Sequence, residues 1–265
     1  FAVYALCRRF DDLVDTSNKN TKTREELSKL ISSASNNQRN KNLEEFRNID
    51  SNLIPRQDII NEFLKGQLSD LDFKQPKDLS QLLKYCYRVA GVVGLMICDV
   101  LGIHDAKLRS FAIDFGIAMQ LTNICRDINE DAQIDRIYLP KNETASLKIN
   151  NFKNPSKTDL MIINSTRDKL IKLADSYYES GVFGINQLPK KLKRSFMVAS
   201  NIYQGIGHKI IQKKISFNEQ RVFLKNYEKL KLTIKTLLKL SKDFDIPLHE
   251  RKLHASLGNL PDTNF

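Results

Sequence analysis

The stretch from Gly116 to Pro140, GIAMQLTNICRDINEDAQIDRIYLP, restricts the fold more than any other. Gly116, Gln120, Asn123, Asp127 and Asp131 recur at steps of four, three, four and four, which puts them in one polar stripe along a helix. Ile113, Ile117, Leu121, Ile124 and Ile128 run along one side of that stripe, and Phe115 and Met119 border the other. A stripe facing solvent would not be bordered by apolar residues on both sides. The carboxylates are therefore expected to point inward, where an unpaired charge is so costly that a cation must meet it.

The first helix, FAVYALCRRFDDLVD, offers the matching surface. Tyr4, Arg8, Asp11 and Asp15 follow steps of four, three and four beside an apolar stripe of Val3, Cys7, Phe10 and Val14. Each helix thus carries two aspartates four residues apart, about 5–6 Å at Cβ, too far to share a proton but placed to hold metal ions from one side. Two facing DxxxD pairs suggest a diphosphate site bridged by Mg2+, with Mn2+ as an alternative, since Mg2+ binds through a few carboxylates plus phosphate oxygens and water. Arg8 and Arg126 would hold the phosphates from the protein side. The plainer alternative is a set of surface ion pairs worth a few tenths of a kcal/mol each. It accounts well for one DxxxD and less well for two, both bordered by apolar residues.

With 265 residues and 41% hydrophobic content the chain can bury the core of one domain, expected to span 1–265. A net charge of +11 implies an anionic partner: nucleic acid, an acidic membrane surface or a phosphorylated substrate. Tryptophan is absent and no basic stretch is interleaved with stacking aromatics, so nucleic acid is not the expected partner. Cys7, Cys86, Cys98 and Cys125 are far apart inside apolar patterns and read as small core residues in a reducing compartment. His104, His208, His249 and His254 are equally dispersed; they read as surface or helix-end residues, and no zinc site is expected. The longest apolar run, Val89 to Cys98, is ten residues, about half of a membrane span. The expected location is cytoplasmic, with peripheral contact to an anionic membrane on its cytoplasmic face.

Helices are expected over Glu25–Ala34, Leu43–Asn52, the residues after Pro55, Lys77–Leu101, Ser156–Ser180, Pro189–Lys213 and Arg221–Leu240. The segment TSNKNTKT, the stretch Ser35 to Asn42 and the tail from Asp243 read as irregular. No alternating strand is evident. The LKGQLSDLD end of the helix after Pro55 carries no recognisable chemistry. Gly91, Gly94 and Gly116 each cost about 1 kcal/mol in a helix, so either close helix packing or room for a long apolar ligand must compensate. The chain opens inside a periodic segment without an initiator Met or an N-cap, so its native beginning is expected to lie before Phe1.

The stretches YALCRRFDDLVD at 4–15 and AMQLTNICRDINEDAQIDRIYLP at 118–140 resemble the two aspartate-rich signatures of the squalene/phytoene synthase family, in wording closest to bacterial-type phytoene synthases. YCYRVAGVVG at 85–94, ASNIYQGIG at 199–207 and RVFLKNYEKL at 221–230 agree in order. The resemblance implies an all-α helical bundle with a central cavity, the class I isoprenoid synthase fold. It implies Mg2+ on Asp11, Asp15, Asp127 and Asp131. Tyr4, Arg8, Gln120, Asn123, Arg126, Arg136 and Arg221 would contact substrate, and Tyr85, near the reacting carbons, Tyr203, pointing into the cavity, and Tyr138 would be catalytic, with the segment Arg136–Leu139 closing as a lid over the diphosphate end.

The implied reaction, in carotenoid biosynthesis, is head-to-head condensation of two geranylgeranyl diphosphates to phytoene through a cyclopropylcarbinyl diphosphate, without NADPH. Farnesyl diphosphate giving presqualene diphosphate, dehydrosqualene or squalene stays open. So do a chain-elongating prenyltransferase or terpene cyclase, which usually carry other carboxylate patterns, and a non-catalytic assembly or lipid-binding factor.

Overall fold

The computed structural model describes residues 55–239 and 247–264, together with Val3, Cys7, Arg8 and Glu25. The expected loops and helices between residues 9 and 54, Glu25 apart, lie outside the described residues, as do Tyr4, Asp11 and Asp15. Among the described residues every regular element is helical.

Helix α1 spans Gln57–Leu71. Helix α2, Leu79–Cys86, runs through a π-helical turn at Tyr87–Gly91 into α3, Val92–Val100. This rod starts at Leu79 because the Asp78 side chain accepts the Gln81 N–H at 2.8 Å and caps it. Helix α4, Ala106–Arg126, is capped likewise by Asp105 at Leu108 N–H. Short α5, Ile128–Gln133, and α6, Ile149–Lys153, lead to α7, Lys157–Asn186. A reciprocal capping box between Ser156 and Asp159 opens α7, which passes its expected end at Ser180 because Gly181 and Gly184 let it lie directly on Phe115 and Phe111 of α4. Helix α8 spans Lys190–Gln212 and α9 spans Asn226–Lys239.

Helix α4 is the axis: it lies along α7 and crosses the α2–α3 rod and α8. Ile113, Ile117, Leu121 and Ile124 are buried in these contacts. The crossing with the rod is backbone on backbone. A Cβ on Gly116 would sit 2.3 Å from Ala90 O, and one on Gly94 would sit 2.3 Å from Ala112 O. Close packing is thus the stronger reason for both glycines.

Over its described residues, 247–264, the tail is irregular apart from one 3-10 turn, Arg251–His254, but it is not peripheral. Tyr177 OH donates to Leu253 O at 2.6 Å and Tyr87 OH to Pro261 O at 2.7 Å. Asp262 accepts from Arg56 and Arg109. His249 and His254 correct the sequence reading: they are not surface residues. Their Nε2 atoms lie 2.7 and 2.8 Å from the two oxygens of Asp114, which is fully buried and also accepts from Ser180 Oγ. Burial alone would raise the Asp114 pKa, but the two imidazole hydrogen bonds outweigh it and hold the carboxyl below its usual range. His104 and His208 are exposed, as expected. Cys86, Cys98 and Cys125 are buried thiols, and Cys7 is half-buried. Among the described residues no helix is long and apolar enough to cross a membrane.

Candidate active site

The inward stripe forms as the periodicity requires, with one break. Asp127, at φ −105° and ψ 16°, interrupts the helix between α4 and α5, yet Asp131 N–H still reaches Asp127 O at 2.8 Å. The stripe therefore continues across the break. Ile124, Ile128 and Ala132 beside it are buried.

Asp127 sits between two guanidinium groups. Arg126 donates to both of its oxygens at 2.6 Å, and Arg221 donates at 2.7 and 2.9 Å. Arg221 reaches it from an irregular segment, which is why α9 starts at Asn226 and not at Arg221. Burial would raise the Asp127 carboxyl, and these hydrogen bonds overcome it and hold it low. Asp131 is the opposite case. Among the described residues it makes no ion pair, and burial, reinforced by the Asp127 charge, pushes it up to about 7.

Arg136 is brought back beside this pair by the way α5 ends. Asp135 adopts a left-handed conformation at φ 60°, Arg136 N–H bonds Asp131 O at 2.9 Å, and Asp135 N–H bonds Ala132 O at 3.1 Å, the helix stop usually built on glycine. Beyond it Tyr138 stacks on Tyr85 with centroids 5.0 Å apart, and both hydroxyls donate to Asp70, at 3.0 and 3.1 Å. Arg136 also donates to Asp70 O at 3.0 Å. Burial, then the Asp70 charge, raises both phenols.

Asp70 is the residue the sequence reading missed; it belongs to the LKGQLSDLD end of α1. A signal was present, because Ile60, Phe63, Gln67 and Asp70 follow steps of three, four and three, so a polar pair continues an apolar face.

One turn before Asp127, the same helix enters an apolar cavity of about 270 Å3. Val89, Ala90 and Val93 of the rod, Phe115, Gly116 and Met119 of α4, Gly181 and Gly184 of α7, and Phe196 of α8 are among its walls. Gln120 and Asn123 stand at the end nearer Asp127; Asn123 Oδ1 is buried without a hydrogen-bond partner among the described residues. Asp127, Asp131, Arg126, Arg136, Arg221, Tyr85 and Tyr138 thus form one charged and aromatic cluster, with Gln120 and Asn123 between it and the cavity. Tyr203 on α8 is part-buried near Tyr178 and outside that cluster. Arg8 is helical and exposed.

The family model for squalene/phytoene synthase matches residues 1–228. The chain belongs to the squalene/phytoene synthase family. The 15-cis-phytoene synthase of Enterobacter agglomerans is 34% identical over 173 residues, 65% of this chain and 59% of that protein. The 15-cis-phytoene synthase of Pantoea ananas is 35% identical over 175 residues, 65% of this chain and 56% of that protein. The chain spans less than two thirds of the length of these two family members. A crystal structure of a dehydrosqualene synthase superposes with a TM-score of 0.74 at 30% identity, covering 90% of this chain and 85% of that one. The helical bundle is the class I isoprenoid synthase fold. The family match stops at residue 228, so nearly all of α9, and His249 and His254, lie beyond it.

Proposed function

We propose that this chain, folded as one isoprenoid synthase domain, condenses two geranylgeranyl diphosphates head to head to phytoene. The observation that carries this reading is the apolar cavity opening, within one turn of α4, onto the cluster of Asp127, Asp131 and three arginines. An allylic diphosphate has that same division: a long apolar tail and a compact anionic head. Relatives named 15-cis-phytoene synthase support the chain length and product.

Arg126, Arg136 and Arg221 would orient the diphosphate by charge-assisted hydrogen bonds. Gln120 and Asn123 would border the first carbons, where Asn123 Oδ1, unpaired among the described residues, presents partial negative charge to a developing allylic cation. The stacked Tyr85 and Tyr138 present aromatic faces toward which an allylic cation is attracted. Tyr203, from α8, would close the far side. The apolar walls exclude water, which would otherwise capture the cation, and the departing diphosphate accepts the proton lost when the cyclopropylcarbinyl intermediate closes.

The residues fit a divalent cation. Asp131 makes no ion pair among the described residues and burial outweighs the nearby Arg136 charge, and the available donors are all oxygens, the set that suits Mg2+ or Mn2+. Asp127 and Asp131 would hold it together with Asp11 and Asp15 of the first signature; when bound, it would offset charge developing on the leaving diphosphate. Asp127 becomes a ligand only once Arg221 turns from it toward a phosphate. No nicotinamide enters this scheme. The apolar product gives a reason for contact with an anionic membrane on the cytoplasmic face.

A second reading, a fifteen-carbon substrate giving dehydrosqualene, is favoured by the likeness to a dehydrosqualene synthase structure. Equal amounts of the fifteen- and twenty-carbon diphosphates, with and without NADPH, decide between them by mass spectrometry. A forty-carbon product without NADPH is expected; a thirty-carbon major product overturns the chain length. Absence of Mg2+-dependent pyrophosphate release overturns the enzyme reading altogether and leaves a lipid-binding or assembly factor.

A further inference from the structure

Helix α9 carries an apolar face that no described residue covers. Phe223, just before it, and Tyr227, Leu230, Ile234, Leu237 and Leu238 along it are 64%, 65%, 61%, 51%, 45% and 77% exposed. The five helical residues follow steps of three, four, three and one, a single stripe. The opposite face is the packed one. Thr236 is buried and accepts from Asn201 of α8 at 3.0 Å, and Leu232 Cδ1 would lie 3.0 Å from a Cβ on Gly205 of the same helix. Helix α9 is thus seated on α8 with its stripe turned outward. The other large exposed hydrophobics among the described residues, Leu101, Ile134, Met161 and Leu248, are scattered. Single exposed apolar residues are ordinary, whereas a contiguous stripe marks a contact surface.

Charge selects the occupant. Lys231 and Lys235 flank the stripe at the helical period, and Lys225 and Lys229 are exposed as well. Glu228 is the one acidic residue of α9, and it is turned away to Lys209, 2.6 Å distant on α8. An apolar face rimmed by lysines is the pattern of a helix lying in a membrane interface, where lysines meet anionic headgroups. A second copy docking face to face would set these lysines against their own counterparts, a like-charge arrangement.

We propose that the outward face of α9, from Phe223 to Leu238, rests on an anionic lipid bilayer. The apolar stripe enters the boundary between headgroups and acyl chains, and the lysines stay at the phosphates. The contact does not depend on the catalytic proposal, because it needs neither substrate nor metal.

Sedimentation of the full chain with phosphatidylcholine vesicles, with and without phosphatidylglycerol, tests it. The triple variant Leu230→Gln/Ile234→Gln/Leu238→Gln should bind anionic vesicles on the order of 100-fold more weakly than the parent. Lys229→Gln/Lys231→Gln/Lys235→Gln should lose about 10-fold or more at low salt and little at high salt. Both should keep the parental unfolding midpoint, since the altered side chains are exposed. The chain has no tryptophan, so Ile234→Trp provides a single reporter, and Met161→Trp on α7 a control at another exposed position. On vesicle binding, the first should shift to the blue and be quenched by brominated lipid while the second stays unchanged. Equal quenching at both positions, or an apolar variant that binds like the parent, overturns the proposal. So does a parent dimer that the apolar variant abolishes while vesicle binding is unaltered, because the face is then an interface between copies.

Discussion

Replacing Gly116 by alanine tests the geometry on which the cavity depends. The new Cβ would lie 2.3 Å from Ala90 O, 2.6 Å from Ala90 C and 2.8 Å from Gly91 Cα, all backbone atoms of the crossing rod. No side-chain rotation relieves such contacts, so the two helices must part by about 1 Å to restore van der Waals distance. Overpacking of this kind costs about 1–3 kcal/mol, and a gap of that width forfeits about a quarter to a half of the dispersion energy along the crossing. Alanine returns about 1 kcal/mol through its better helix propensity. A net loss of about 2 kcal/mol is expected, or about 4–8 °C in a chain of this size. Gly91→Ala is the internal control. Its Cβ would meet Tyr87 Cδ2 at 3.3 Å and Ile113 Cγ2 at 3.4 Å, flexible side-chain atoms that give by a few tenths of an ångström. That variant should melt within about 1 kcal/mol of the parent. Calorimetry or denaturant unfolding of the three proteins supplies the numbers. If Gly116→Ala melts at or above the parent temperature and loses only turnover, the glycine is there to make room for substrate and the close-crossing argument is refuted.

Asp131, pushed up to about 7, keeps its proton in the folded state while the unfolded chain ionises near 4. In the presence of a chelator, its contribution to stability is therefore full below about pH 4 and lost as pH rises to about 7; Asp131→Asn should flatten that part of the melting profile. An unchanged profile would show that the carboxyl is already ionised in the fold. Asp70→Asn should cost about 1–3 kcal/mol by weakening the acceptor shared by Tyr85 and Tyr138, and should reduce turnover more than substrate affinity; parental kinetics would remove the tyrosine pair from the chemistry. Asp114→Asn should cost about 3–5 kcal/mol and speed tryptic cleavage at exposed Arg251 and Lys252, and parental resistance to trypsin would mean that the tail is held by its other contacts.

How far the sequence could be read depended on whether partners lay on one element. The inward stripe from Gly116 to Asp131 was legible because all its members share one period, and the apolar residues flanking it fix its direction. The break at Asp127 was not, since it depends on a backbone conformation with no glycine or proline to announce it. Arg221 and Asp127 are 94 residues apart, and no local pattern encodes their pairing; the resemblance alone assigned Arg221 to the anionic end. Asp70 escaped because it lies on the LKGQLSDLD end of α1, where the apolar face of Ile60 and Phe63 gives way to polar residues. The histidines show the same limit more sharply. His249 and His254 stand 135 and 140 residues from Asp114, and a tail rich in turn residues gave no sign that it would be buried.

What joins these parts is that α4 meets a different demand on each face and at each height. Near its middle, Asp114 anchors the tail through His249 and His254. One and two residues on, Phe115 and Gly116 admit α7 and the rod at near-contact distance. Gln120 and Asn123 then stand at the cavity end, and Asp127 terminates the helix among arginines. Because α4 is one continuous 21-residue helix, a shift at any of these levels moves the others by a comparable amount. Parting the helices at Gly116 by about 1 Å would displace Gln120 and Asn123 relative to the rod, and misplacement on that scale is enough to cost about 100-fold in rate. Substitutions at the tail anchor should therefore lower turnover as well as stability, although Asp114 lies more than three helical turns from Asp127 and contacts nothing in the charged cluster.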